Sequence, residues 1–306
     1  MVPGSQRRSP RRLTAALAAL TLSAACASSP APESADAKTP VSPLVTTTAP
    51  PTTTSKIAGP STTSTPAPTP GPLPDIGLEI LVPEGEGPFP ATVLVHGGGW
   101  VGGSPSLMRD LARFLTGEGY LTVNAPYTLS NGIAGYPIAV DDVACAARYA
   151  AAHPDGDGTV ALIGHSAGAH LAALVALDGG IYGGSCPLPD PVSPGRLIGL
   201  AGPYDVARLG PFLLPFFGVG PDEDPEIWAA GNPLLRATNN PGLNTLLMHG
   251  ENDGLVDLRF ASDFAQALSA AGSEVVVEVV EGARHNDMHD PELVGDLIVT
   301  WLERGG

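Results

Sequence analysis

The sequence predicts an α/β fold over residues 75–306, a mostly parallel central sheet flanked by helices on both faces, and two observations carry that prediction. After Pro74, runs rich in Val, Ile and Leu alternate with segments of helical pattern, as they do in chains that build parallel sheets through crossover helices. The runs ending at His96, Gly164 and His249 carry little polar interruption, as strands buried on both faces require.

In chain order, strands are expected at Ile76–Val82, Ala91–His96, Tyr120–Ala125, Val160–Gly164, Arg196–Ala201, Asn244–His249 and Glu274–Val280. Helices are expected at Ser106–Thr116, Tyr136–His153, Ala167–Leu177, Leu258–Ala271 and Pro291–Glu303, the last opened by an Asp290 N-cap and a first-turn proline. Between Asp205 and Asn240 the pattern becomes irregular. Phe212, Leu213, Leu214, Phe216 and Phe217 crowd together there, either as a small apolar cover or as core.

Composition bounds what precedes the folded part. Residues 1–25 read as an export leader, with Arg7, Arg8, Arg11 and Arg12 ahead of an apolar run from Leu13 to Ala25 that is too short to span a bilayer. Arg11-Arg12 also permits a twin-arginine signal. Leu22-Ser-Ala-Ala-Cys26 resembles a lipobox, which implies cleavage before an acylated Cys26 and a membrane tether. Ordinary cleavage near Ala25 or Ala27, giving a secreted protein, is the alternative. Residues 26–74 are Pro, Thr, Ser and Ala with almost no large apolar side chain, so they form a disordered linker that provides reach. What remains is about 230 residues, enough for one well-buried domain. The formal charge of -16 makes nucleic acid and anionic membrane surfaces poor partners for that domain. With Cys26 consumed by lipid, Cys145 and Cys186 are expected to pair as a disulfide in an exported protein, two buried thiols being the alternative.

The chemistry is concentrated at two glycine-rich segments. Val160-Ala-Leu-Ile-Gly164-His-Ser166-Ala-Gly168 is a buried strand running through G-x-S-x-G into an Ala/Leu helix, the context of a nucleophile elbow. Gly164 and Gly168 are needed where helix and strand approach too closely for side chains, and Ser166 stands at the tip. Upstream, the strand ending at His96 runs into Gly97-Gly98-Gly99-Trp100, whose unshielded N–H groups suit an oxyanion. Gly97, Gly98 and Ala167 are the expected donors.

His96-Gly-Gly-Gly-Trp100 together with Gly164-His-Ser-Ala-Gly-Ala-His170 resembles the α/β-hydrolase esterases of the hormone-sensitive-lipase and kynurenine-formamidase-like (BD-FAE-like) groups. The resemblance spans residues 75–306 and implies an α/β-hydrolase fold with the order nucleophile, acid, base along the chain. Asp253, after the strand and turn Leu246–Gly250, is the expected acid, with Glu251, Asp257 and Asp205 as alternatives. His285, in the loop after the last strand, is the expected base. His289 is the alternative, while His96, His165, His170 and His249 are read as backbone-bonded or packing residues. A linker stands where the lipase-like members carry an N-terminal cap, so no large cap domain is expected.

These residues imply a serine hydrolase that cleaves short-chain carboxylic esters through an acyl-enzyme. The expected substrate is a small-molecule ester, and no metal or cofactor is required, since neither H-E-x-x-H nor paired Cys/His spacing is present. Formamidase, amidase or carbohydrate deacetylase activity is the alternative on the same residues. A non-catalytic surface binding module would be expected to have lost a member of the set.

Overall fold

A computed structural model of the protein describes residues 76–188 and 190–304. The expected leader, Cys26 and the linker at 26–74 lie outside the described residues. Seven strands form one sheet: β1 (Glu79–Leu81), β2 (Phe89–Val95), β3 (Leu121–Ala125), β4 (Gly156–His165), β5 (Arg196–Leu200), β6 (Asn244–Gly250) and β7 (Val275–Val280). Their spatial order is β1-β3-β2-β4-β5-β6-β7, and every pair is parallel except β1 with β3. The first expected strand, Ile76–Val82, shortens to β1 because Gly77 (φ 78°) takes the backbone out of the extended region and Pro83 follows Val82.

Strand alternation divides the interior into two cores. Val93, Val95, Val160, Leu162, Leu197 and Leu247 enter one with helices α2 (Ile138–Ala152), α3 (Ala167–Asp178) and α6 (Arg259–Ala270). Leu94, Ile163, Ile198, Leu200 and Met248 enter the other with α1 (Arg109–Gly117) and α7 (Pro291–Glu303). Period-two side-chain placement on strands buried on both faces produces this division directly. The expected helix at Ser106–Thr116 starts instead with a 3-10 turn, Pro105–Met108, with the α-helix beginning at Arg109. No helix among the described residues is long and apolar enough to cross a membrane.

The irregular stretch contains short elements: a kinked 3-10 segment Val206–Leu213, then α4 (Leu214–Phe217), α5 (Pro225–Ala230) and a 3-10 turn Pro233–Arg236. Its phenylalanines do two different things. Phe216 and Phe217 are buried and pack edge-on or tilted against Tyr136 and Trp228 in the core, whereas Phe212 is 65% exposed.

Cys145 on α2 is disulfide-bonded to Cys186, closing a loop with a sequence separation of 41. The same loop is held by Arg148, whose guanidinium donates to the carbonyls of Tyr182, Gly183 and Leu188. Closing a loop of this length removes unfolded-state entropy of about 4 kcal/mol at room temperature. Replacing both cysteines by alanine should therefore lower the urea-unfolding free energy by about 2–4 kcal/mol, and an unchanged midpoint would show that Arg148 alone holds the loop.

Candidate active site

The strand order reverses direction at the boundary between β2 and β4, and the crevice above their C-terminal ends is where a sheet of this type collects its loops. Ser166 follows β4 there and the Gly97–Trp100 loop follows β2. The segments bearing Asp253 and His285 follow β6 and β7 at the same end of the sheet.

Ser166 holds φ 52° and ψ -118°, a backbone region that a serine occupies only when its surroundings force it to. Those surroundings are visible. A Cβ on Gly164 would stand 2.3 Å from the Gly168 carbonyl oxygen, and one on Gly168 would stand 2.1 Å from that of Val95. Only glycine lets α3 come this close to β2 and β4. The Ser166 N–H donates to the Leu200 carbonyl at 2.8 Å, and the Ser166 carbonyl receives the Ala169 and His170 N–H groups at 3.0 and 3.2 Å.

His285 Nδ1 lies 2.7 Å from Asp253 Oδ2 and its Nε2 lies 2.9 Å from Ser166 Oγ. Burial works to raise the Asp253 pKa. Hydrogen bonds from the Val256 N–H, the His285 ring and the Leu255 N–H outweigh it and hold the carboxyl below its usual range. An ionised carboxylate only accepts, so Nδ1 carries the proton and Nε2 is left as an acceptor for the Ser166 hydroxyl. His285 sits at the start of a 3-10 turn, His285–His289. Among the sequence alternatives, Glu251 accepts from the Gly282 N–H and Asp257 pairs with Arg259. Asp205 binds Asn232 and Arg208, so none of the three is bonded to His285.

Gly97 and Gly98 line the same cleft as Ser166, and a Cβ on Gly97 would stand 3.1 Å from that of Ser166. Among the described residues, the N–H groups of Gly97, Gly98 and Ala167 donate to no backbone carbonyl. The cleft has a volume of about 690 Å³ and is walled by Leu107, Leu209, Phe212, Leu255 and Val256, with Asn286 and His289 on its polar side. The same described residues contain no group of three or more His, Cys, Asp or Glu able to hold a metal ion.

All four histidines read as backbone-bonded do bond a carbonyl: His96 that of Gly97, His165 that of His285, His170 that of Gly231 and His249 that of Val256. Sequence reasoning did not distinguish what these bonds accomplish. His165 anchors the His285 backbone at 2.9 Å, and the buried His249 lies 3.3 Å from Asp253 Oδ2. The available signal was position, since His165 abuts Ser166 and His249 ends the strand that leads to Asp253.

Burial depresses the His165 pKa to about 3 and the His170 pKa to about 4, so both rings stay neutral in the folded protein. In the unfolded chain histidine titrates near about 6.5, so below that pH the unfolded state takes up protons that the folded state refuses. Stability should be complete above pH ~6.5 and fall as the pH is lowered toward ~4, by up to about 1.4 kcal/mol per pH unit for each ring. The depressed Asp253 acts in the same direction at still lower pH. Urea midpoints measured from neutrality downward should show this decline, and a flat profile to about pH 4.5 would contradict it.

Residues 78–186 match the BD-FAE family model. No curated protein matches the sequence. Among solved structures, a truncated carbohydrate esterase from gut microbiota superposes with a TM-score of 0.66 at 20% identity, covering 74% of this chain and 90% of that one. A bifunctional GH43-CE protein of Bacteroides eggerthii gives 0.65 at 22% identity, over 74% of this chain but only 33% of that one. Butyrate-bound esterase Est2 of Thermogutta terrifontis gives 0.61 at 21%, over 74% and 87%. The seven-stranded sheet and these neighbours establish that the described part of the chain has the α/β-hydrolase fold.

Proposed function

We propose that the chain is a serine hydrolase that cleaves short-chain carboxylic esters. The observation that carries this reading is the single imidazole of His285, bonded at once to the Asp253 carboxylate and to the hydroxyl of Ser166, whose backbone is strained and which lines an open cleft. His285 takes the Ser166 proton as Oγ attacks the ester carbonyl, and Asp253 holds the ring in the useful tautomer and stabilises the imidazolium. The developing oxyanion is received by the N–H groups of Gly97, Gly98 and Ala167. His285 then returns the proton to the departing alcohol, and water, deprotonated by the same imidazole, releases the acid from Ser166. The neighbouring esterases support this assignment, as do the BD-FAE match and the burial of Asp253.

The acyl side is short in this reading because the apolar wall is shallow. Phe212 and Leu255 are 65% and 74% exposed, so a long chain laid against them would stay largely in water. Each sheltered CH₂ is worth about 0.8 kcal/mol, and this wall shelters few. Structures of the Thermogutta esterase with butyrate and with propionate are consistent with that scale. A second reading, deacetylation of carbohydrate, is favoured by Asn286 and His289 on the polar side of the cleft and by the carbohydrate esterase neighbour. We also place the protein outside the cytoplasm, tethered through Cys26 or secreted, a reading with which the Cys145–Cys186 disulfide is compatible.

Hydrolysis of p-nitrophenyl acetate, butyrate, octanoate and palmitate should give a kcat/KM that stops rising at about C4. Ser166→Ala and His285→Ala should each lose at least about a thousandfold in kcat, while His289→Ala stays within about tenfold. Residual Ser166→Ala turnover within about tenfold of wild type, or a maximum at octanoate or beyond, would contradict the assignment. Acetylated xylan assayed beside p-nitrophenyl acetate decides between the two readings.

A further inference from the structure

Resting on that reading, we infer that His170 and Trp100 form a positioning strut that locks the oxyanion loop to the helix carrying the nucleophile. The Trp100 indole Nε1–H donates to His170 Nδ1 at 3.2 Å, and His170 Nε2–H donates to the Gly231 carbonyl at 2.8 Å. The carbonyl can only accept, so its bond fixes the tautomer and leaves Nδ1 as an acceptor for the indole. His170 is fully buried, and burial keeps its ring neutral, so this pairing persists across the working pH range.

The geometry requires such a strut. His170 lies on the first turn of α3, with its N–H bonded to the Ser166 carbonyl, so its ring is tied to the nucleophile's own backbone. At the other end, Trp100 closes the Gly97–Trp100 loop in the left-handed region at φ 63°, which a tryptophan keeps only when neighbours hold it. Its neighbours hold it through the His170 bond, the Ser130 N–H donating to the Trp100 carbonyl at 2.8 Å, and the rings of Phe216 and Phe212 with centroids 5.6 and 6.5 Å away. Gly98 and Gly99 also have positive φ, of 128° and 61°; His96 holds the Gly97 carbonyl at 2.7 Å and the Gly102 N–H holds that of Gly98 at 3.0 Å, and the strut adds the tie that fixes this loop relative to α3. Trp100 and His170, the strut's two ends, lie 70 residues apart in sequence, yet the oxyanion must meet donors from the segments of both.

Trp100→Phe keeps the ring and removes the N–H, leaving His170 Nδ1 buried without a partner. It should lower kcat for p-nitrophenyl acetate by about 10- to 100-fold, with KM within about twofold. Affinity for a phenylboronic acid, whose tetrahedral adduct fills the oxyanion site, should fall in parallel. His170→Phe should behave likewise, and His170→Gln, which retains a donor and an acceptor, should recover most of the loss. A purely packing role would lower thermal stability without coupling kcat to boronate affinity. In ¹H–¹⁵N spectra of the wild type, the indole N–H resonance missing from Trp100→Phe should be protected from exchange and should move in His170→Phe. Variants with wild-type kcat, or an indole resonance indifferent to His170→Phe, would overturn the strut. If the wild type neither hydrolyses the ester nor binds the boronate, the proposed function fails, and the indole resonance alone then decides the strut.

Discussion

The arrangement depends on one close approach, that of helix α3 to strands β2 and β4. A Cβ on Gly168 would stand 2.1 Å from the Val95 carbonyl oxygen and one on Gly164 2.3 Å from that of Gly168, so the turn between them has no room for a relaxed serine. Ser166 is therefore driven to φ 52°, an unfavourable conformation of order 1–3 kcal/mol that the packed sheet offsets. The same turn makes the Ala167 N–H the first of a helix, with no intrahelical acceptor to use it. Strain at the serine and a free donor beside it are two results of one packing constraint.

The other loops are stapled to this turn and to each other. The Asn252 N–H donates to the Ala283 carbonyl at 2.8 Å and the Glu251 N–H to that of Val280 at 3.0 Å, joining the loop that bears Asp253 to the segment that leads into His285. His165 then bonds the His285 carbonyl, and His249 bonds the carbonyl of Val256, whose own N–H grips Asp253. The buried imidazoles of His165, His170 and His249 thus brace carbonyls of other segments and that of His96 holds the neighbouring Gly97 carbonyl, leaving His285 as the ring placed between a hydroxyl and a carboxylate. This is preorganisation in the ordinary sense: the polar groups are oriented before substrate arrives.

Much of this was legible because it is local. The strand–glycine–serine–glycine–helix order pointed to Ser166 and buried apolar runs to the sheet, while the order nucleophile, acid, base implied by the family resemblance pointed to Asp253 and His285 after late strands. What could not be read depends on contacts distant in sequence. Nothing in the run Phe212–Phe217 says that Phe216 and Phe217 turn inward while Phe212 points to the cleft, since the outcome depends on Tyr136, Trp100 and Trp228. The bond between Trp100 and His170 is likewise invisible until β2 and β4 are neighbours. The short first strand was overextended because a glycine's positive φ leaves no trace in an apolar pattern.

The central claim is that Ser166 alone is made nucleophilic by its surroundings. Treatment with a fluorophosphonate, followed by intact mass and peptide mapping, measures this most directly, because the reagent phosphonylates only an activated hydroxyl. The account predicts a single adduct on the peptide containing Ser166, absent when His285 is replaced by alanine. No adduct, or one at a different residue, would contradict it.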